Sequence, residues 1–351
     1  MGSDQRKDDS GHRGDNGVFG GRHDTVAPNP SPLLDTSGAV PAESPDFGVA
    51  AHYGDPLGEQ RRLVTGEGFV DLSHRGVIRI AGPERLTWLH QLVTQDMEGL
   101  EPFHATSTLI LDANGRVEHA LYGVDDGEAT WFHVEPGSAE ALINYLTAMR
   151  FWAQVDIDDV TSERAMLWEP IREQTQYPTR VTERGRDVFV PRSQLSAYTT
   201  QRGTPAGVWA YEALRIQAHE PRLGVDTDNR TIPHEVGWIG SAVHLDKGCY
   251  RGQETVARVH TLGRPPRRLI MLHLDGLVDH LPQHGDDVEH DGRVVGYVGS
   301  AQRHYELGPI ALAVVKRTVP VDAQLVAGGV DAAQDVVVDP EVGLHVRPLL
   351  S

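Results

Sequence analysis

Between Gly76 and Val160 the apolar residues change their spacing in an order that few folds accommodate. Val77, Ile78 and Ile80 around Arg79 read as a strand, which Gly82 and Pro83 interrupt before Leu86, Leu89, Leu92 and Val93 recur at helical spacing. The runs STLILD and RVEHALYGV follow, joined by DANGR, whose Asn114 and Gly115 suit a hairpin turn. TWFHV supplies a third strand, Ser138 a helix cap, and Leu142, Tyr145, Leu146 and Met149 one apolar helix face, after which QVDIDDV returns as a strand. Strand, helix, two or three strands, helix, strand is a ferredoxin-like α+β layout, with the helices on one face of an antiparallel sheet.

At 351 residues the chain is too long for one such unit. Residues 1–45, rich in Gly, Asp, Ser and Pro, carry too few apolar side chains to offset the entropy of ordering and are expected to form a disordered tail. The first α+β unit is expected over residues 46–160. A second unit over 161–262 holds strands near RAMLWE and DVFVP and a helix around GVWAYEALRIQA. From 263 to 340, RRLIMLHLDG, RVVGYVGSAQ and IALAVVKR read as short strands between turn residues, which predicts a small β-barrel, and 341–351 a frayed end.

Hydrophobic residues make up 39% of the chain, in runs far shorter than the roughly 20 residues a membrane helix needs. The start MGSDQRKDDSGHRGDNG is charged where an export signal is apolar, so a soluble, cytoplasmic protein is expected. The formal charge of -18 would repel a phosphate backbone and argues against direct nucleic-acid binding. No metal-ligand pattern is readable: His280 and His284 are separated by Pro282 and have no accompanying ligand motif. Cys249 is the only cysteine, so no internal disulfide can form and one free thiol remains to be explained.

That thiol lies in KGCYRGQETVARVHTLGRPPRR, which has six basic residues (Lys247, Arg251, Arg258, Arg264, Arg267, Arg268) and a single acid, Glu254. Neighbouring cations stabilise a thiolate, so Lys247 and Arg251 would make Cys249 a better nucleophile or metal ligand, and Gly248 and Gly252 would let the backbone turn tightly against a ligand. The alternative is a small buried cysteine with arginines decorating an interdomain hairpin. Upstream, Asp226 and Glu235 are candidate acceptors for an amino-pteridine ring, or else caps of turns. Trp238 is the best placed of the tryptophans to stack on such a ring.

Arg215-Ile216, Pro221, Gly224, Asp226, Pro233, Glu235 and then KGCYRGQE, with GPERLTWLHQLVTQD further upstream, resemble the signature of YgfZ-type folate-binding proteins, relatives of the glycine-cleavage T-protein. The similarity spans about Gly54 to Val319. It implies a T-protein-like cloverleaf of ferredoxin-like subdomains around a central hole, closed by the C-terminal barrel, with tetrahydrofolate or a one-carbon derivative in the hole. It also implies a role in making or maintaining iron-sulfur enzymes, with assembly proteins or client enzymes as partners and Cys249 as the functional thiol. Asp226, Glu235, Trp238, Lys247 and Arg251, with Gln253 and Glu254 of the motif, are the residues it assigns to the cofactor.

Two segments depart from the T-protein pattern. Where T-proteins carry an aspartate pair after the hairpin, this chain has Glu118 and His119, and the longer glutamate arm would displace the reacting oxygen. The T-protein folate segment is replaced by ERGRDVFVP, in which Asp187 is a stand-in for the missing carboxylate, and His219 falls where many relatives have glycine. A folate-dependent aminomethyl transferase using Glu118 or Asp226 is the second function this sequence allows.

Overall fold

The structure, a computed structural model, describes residues 29–344. Its first sheet runs in the spatial order Ala105–Leu111, Val117–Asp125, Ala129–Val134, Gly76–Ala81 and Asp156–Asp159, antiparallel throughout. Helices Arg85–Leu92 and Ala139–Ala148 cover one face, and Ile78, Ile80, Leu89, Phe132, Leu142 and Leu146 meet between the two layers. This is the ferredoxin-like arrangement that the apolar spacing predicts. Ser138 is the residue before the second helix, but its hydroxyl makes no cap hydrogen bond.

The second sheet orders Thr179–Thr182, Gly185–Pro191, Arg164–Glu169, Phe69–Asp71 and Pro205–Ala206. Its fourth strand comes from residues that precede the first sheet, so a single cut near residue 160 does not separate the two units. Six strands close the C-terminal barrel in the order Arg267–Leu274, Gly308–Lys316, Arg293–His304, Asp287–His290, Leu325–Ala327 and Val330–Val336. Helix Val208–Gln217 joins the units: apart from Trp209 and Gln217 every residue in it is buried, including Glu212 and Arg215.

The expected N-terminal tail needs correction from residue 29 onward; residues 1–28 lie outside the described part of the chain. A 3-10 turn at Pro32–Asp35 and the strand pair Val40–Pro41 with Ala50–His52 bring Leu33 and Ala42 into the core. Ser31 donates its hydroxyl to Asp71, and buried Asp46 accepts from Arg222 176 positions later. Composition misleads here because the few apolar side chains of the segment pack into cores built by distant residues, and polar anchors to those residues hold it in place. At the other end Arg264 donates its N–H to the carbonyl of Val342, and Leu344 to that of His260, so the described part of 341–351 is also attached.

Candidate functional site

The first two units meet around a cavity of about 400 Å³, to which the segment leaving the barrel adds Val337. The first sheet contributes Tyr122 and His133, the second Trp168, Arg180, Arg184 and Asp187, and the joining helix with its following loop Tyr211, Arg215, His219, Glu220 and Arg222. Trp238 and Ala242 come from the loop before the cysteine motif. The lining holds five arginines against three carboxylates, in a chain whose formal charge is -18. The positive niche therefore exists, but around this cavity and not around the thiol.

Arg184 is its most exceptional member. The guanidinium lies 5.5 Å from the ring centre of Trp168 and 5.1 Å from that of Tyr211, and Nη2 is 2.6 Å from a Glu220 carboxylate oxygen. Nε and Nη1 are buried without a hydrogen-bond partner, and the Nε of Arg75 is in the same condition. Burial works against the charge, yet Glu220 and Tyr211 outweigh it and hold Arg184 protonated, well above the ordinary range. A permanently charged group with unused donors in a partly enclosed space is a receptor for an anion or a carbonyl.

Asp187 is held by Arg180 Nη1 at 2.8 Å and by His133 Nε2 at 3.2 Å. Burial opposes its ionisation, but the hydrogen bond and charge of these partners keep the carboxyl well below the usual carboxylate range. Arg75 Nη1 lies 3.4 Å from the other ring nitrogen of His133, which makes that nitrogen the acceptor and leaves Nε2–H to donate to Asp187. His219, which follows the joining helix, has φ 59, a left-handed conformation that ordinarily favours glycine.

The residues assigned from the sequence are scattered relative to this cavity. Trp238 lines it. Asp226 does not: fully buried, it accepts from Arg215 Nη1 at 2.9 Å, the Arg222 N–H at 2.9 Å and the Ser300 hydroxyl at 2.6 Å, tying the joining helix to the barrel. Glu235 is likewise occupied by Arg267, at 2.8 and 2.7 Å, and by the N–H of Ile232. Both carboxylates read as ligand acceptors because their arginine partners are not sequence neighbours in any detectable pattern.

Lys247 is engaged by main-chain carbonyls, with its ammonium 5.3 Å from the ring centre of Tyr250. Its ammonium donates to the carbonyls of His90, Val93 at 2.6 Å and Gln95 at 3.2 Å, at the C-terminus of helix Arg85–Leu92. Burial pushes its pKa down to about 8, against the pull of Asp96 and Glu98. Its role is to cap a helix. Lys247→Met is therefore expected to lower stability by about 1–3 kcal/mol, the cost of leaving buried carbonyls unsatisfied, while ligand affinity of the cavity stays within about twofold; urea denaturation beside a binding titration separates the two.

Arg251 pairs at 2.9 Å with Glu118 on the surface, Gln253 donates to the carbonyl of Lys247 at 3.3 Å, and Glu254 is exposed in the first turn of helix Gln253–Leu262. Glu118 is the extra residue of a β-bulge opposite Ile110 and Leu111, which turns it outward. Gly252, with φ 82, packs against the hairpin: a Cβ there would lie 2.6 Å from the Asp112 carbonyl oxygen and 2.9 Å from Gly115 Cα. The motif's second glycine thus serves docking onto the DANGR turn. Cys249 is exposed, on the loop this docking holds, and does not line the central cavity.

Two histidines near this framework are held neutral. Burial depresses His119 to about 4, and burial with the nearby His260 does the same to His234, whose ring nitrogens have no partner. Folded and unfolded chains are both neutral at these positions above the ordinary imidazole value of 6.5; as pH falls from 6.5 to about 4 only the unfolded chain takes up these protons, so folding stability drops. The limiting slope is about 1.4 kcal/mol per pH unit for each group. Urea midpoints at pH 7 and pH 5 should show the loss, and His234→Leu should reduce it.

No protein-family model matches the chain. It is 27% identical over 310 residues to an aminomethyltransferase of Nostoc sp., covering 73% of this chain and 79% of that protein. It is also 26% identical over 336 residues to the aminomethyltransferase of Geobacillus kaustophilus, covering 82% and 91% of the two. The crystal structure of the glycine cleavage system aminomethyltransferase T from Bartonella henselae superposes with a TM-score of 0.72 at 17% identity, over 88% of this chain and 96% of that one. With two α+β units that enclose a cavity and a closed six-stranded barrel after them, the chain has the fold of the glycine-cleavage T-protein.

Proposed function

We propose that the central cavity binds a reduced folate and that the protein is a folate-dependent accessory factor of the YgfZ kind, supporting iron-sulfur enzymes through Cys249. The observation that carries the folate reading is the unpartnered face of Arg184 inside an aromatic-walled cavity. Tetrahydrofolate joins a flat, hydrogen-bonding pterin to a benzoylglutamate with two carboxylates. Tyr122, Trp168 and Trp238 offer the ring surfaces, Asp187 and Glu220 the acceptors, and Arg184 and Arg75 unused donors for anionic or carbonyl oxygens. The volume lies in the range of about 300–1,000 Å³ typical of small-molecule sites. When bound, tetrahydrofolate supplies a carrier for one-carbon units.

The accessory role rests on KGCYRGQE and on the exposure of its thiol outside the cavity. A cluster normally needs four ligands, so one cysteine would act on a cluster or sulfur species held by a partner protein. Cys249→Ser is expected to bind tetrahydrofolate as wild type does, by calorimetric titration, yet to leave iron-sulfur enzyme activity unrestored in a strain lacking this protein. Full restoration by the serine variant would remove Cys249 from the function.

The similarity to proteins named aminomethyltransferases supports the second function, transfer of an aminomethyl group. Against it, Glu118 is turned out on its bulge toward Arg251 and Asp226 is enclosed by arginine, so neither carboxylate lines the cavity. Methylene-tetrahydrofolate formed from amine donors by wild type, and lost in Glu118→Gln, would reverse this preference.

A further inference from the structure

The loop between helix Ala139–Ala148 and strand Asp156–Asp159 turns two large aromatic side chains outward. Phe151 is 76% and Trp152 96% exposed, although a tryptophan ordinarily hides most of its ring. Phe151 has φ 45, a backbone conformation that bulky residues rarely adopt. The loop is nevertheless anchored on both sides: Trp88 Nε1 donates to the Met149 carbonyl at 3.1 Å, and the Gln154 N–H to Glu84 at 2.6 Å. The aromatic pair is thus presented from a fixed base.

Immediately after it comes the open edge of the first sheet. Asp156–Asp159 pairs with Gly76–Ala81 on one side and with no strand on the other, among the described residues. Its sequence is Asp-Ile-Asp-Asp, and from Met149 to Glu163 there are four acids and one base, Arg150. Asp158 is partly neutralised by Arg79 at 3.3 Å, and Asp159 accepts from the N–H of Thr161. Acidic residues on an edge strand discourage pairing with another acidic strand, including a second copy of this one, and favour a basic one.

We infer that Phe151, Trp152 and the free edge of Asp156–Asp159 form a docking surface for a basic, extended segment of a partner protein. The partner strand would add to the sheet edge through main-chain hydrogen bonds, with lysine or arginine side chains opposite Asp156 and Asp158, which share one face of the strand, and over the Trp152 ring. The acidic edge makes a lysine- or arginine-bearing protein strand the occupant. The surface lies on the first unit and does not depend on what the central cavity binds.

The test uses the full chain and two short peptides, one alternating lysine with valine and the other glutamate with valine. The lysine peptide should bind and the glutamate peptide should not, by calorimetry at low salt, and Trp152→Ala should weaken the lysine peptide by about tenfold, as loss of a cation–π contact and apolar area would. Asp156→Asn with Asp158→Asn should weaken it too and flatten its salt dependence. Tetrahydrofolate affinity should remain unchanged in both variants, which separates this surface from the cavity. Equal binding of both peptides, or a Trp152→Ala titration that matches wild type, overturns the inference. So would concentration-dependent self-association abolished by Trp152→Ala, which would make a second copy the occupant.

Discussion

Arg184→Met is expected to weaken tetrahydrofolate binding by about 10- to 100-fold, because hydrogen bonds to charged groups contribute about 1.5–3 kcal/mol each. The replacement keeps length and apolar contact with Trp168 and Tyr211 and removes only the donors and the charge. Its structural cost should be small. Glu220, the carboxylate it would leave behind, is half exposed and can return to water. Arg184→Lys should fall between the two, since an ammonium keeps the charge but loses the planar fork. Calorimetry on the three proteins, with thermal midpoints as control, decides the matter; affinity unchanged in Arg184→Met would move the folate away from this cavity.

The second large effect concerns stability. Arg222 donates to Glu135 at 2.9 and 2.7 Å and to Asp46 at 3.2 and 2.8 Å, and lies 3.2 Å from Glu212, all of them buried. Burial alone would raise the Glu135 carboxyl, yet Arg222 and Arg75 hold it down to about 2. Arg222→Met would leave these carboxylates without their principal counter-charge. A loss of about 3–5 kcal/mol at pH 7 is expected, the range for breaking a buried ion pair from one side.

The sign of its pH dependence is distinctive. In wild type the depressed Glu135 contributes stability that is present above the ordinary value of 4.5 and lost as pH falls toward about 2. In the variant burial would dominate and raise the same carboxyl, so protonation below neutrality relieves the strain. The difference between the two proteins in urea should therefore shrink from pH 7 to pH 5. A loss below about 1 kcal/mol at pH 7 would mean that water or a rearranged arginine replaces the lost charge.

Elements built from local periodicity were legible in advance. Leu86, Leu89 and Leu92 define a helix face and Val77 to Ile80 a strand because their burial partners lie across one compact unit. The DANGR hairpin follows from Gly115, whose φ of 79 few other residues tolerate. Gly252 was recognised as a close-approach glycine, but what approaches it is the hairpin and not a ligand. The basic character of the motif was equally plain, and equally misplaced: Lys247 caps a helix, Arg267 is neutralised by Asp228 and Glu235, and Arg268 lies inside the barrel wall.

The spacing of apolar residues thus determined, without help, the ferredoxin-like first unit and the strands of the barrel, whereas the exposure of Cys249, which the sequence left open, was decided by the tertiary structure. Only the closure of three units decided where the charge goes: it brought Arg75, Arg180, Arg184 and Arg222 to one cavity and consumed Asp226 and Glu235 in ion pairs. The reason is the range of the forces that leave a trace in sequence. Helical and strand periods repeat within a few residues, whereas an ion pair such as Asp46 with Arg222 exists only after distant segments have packed and excluded the water between them.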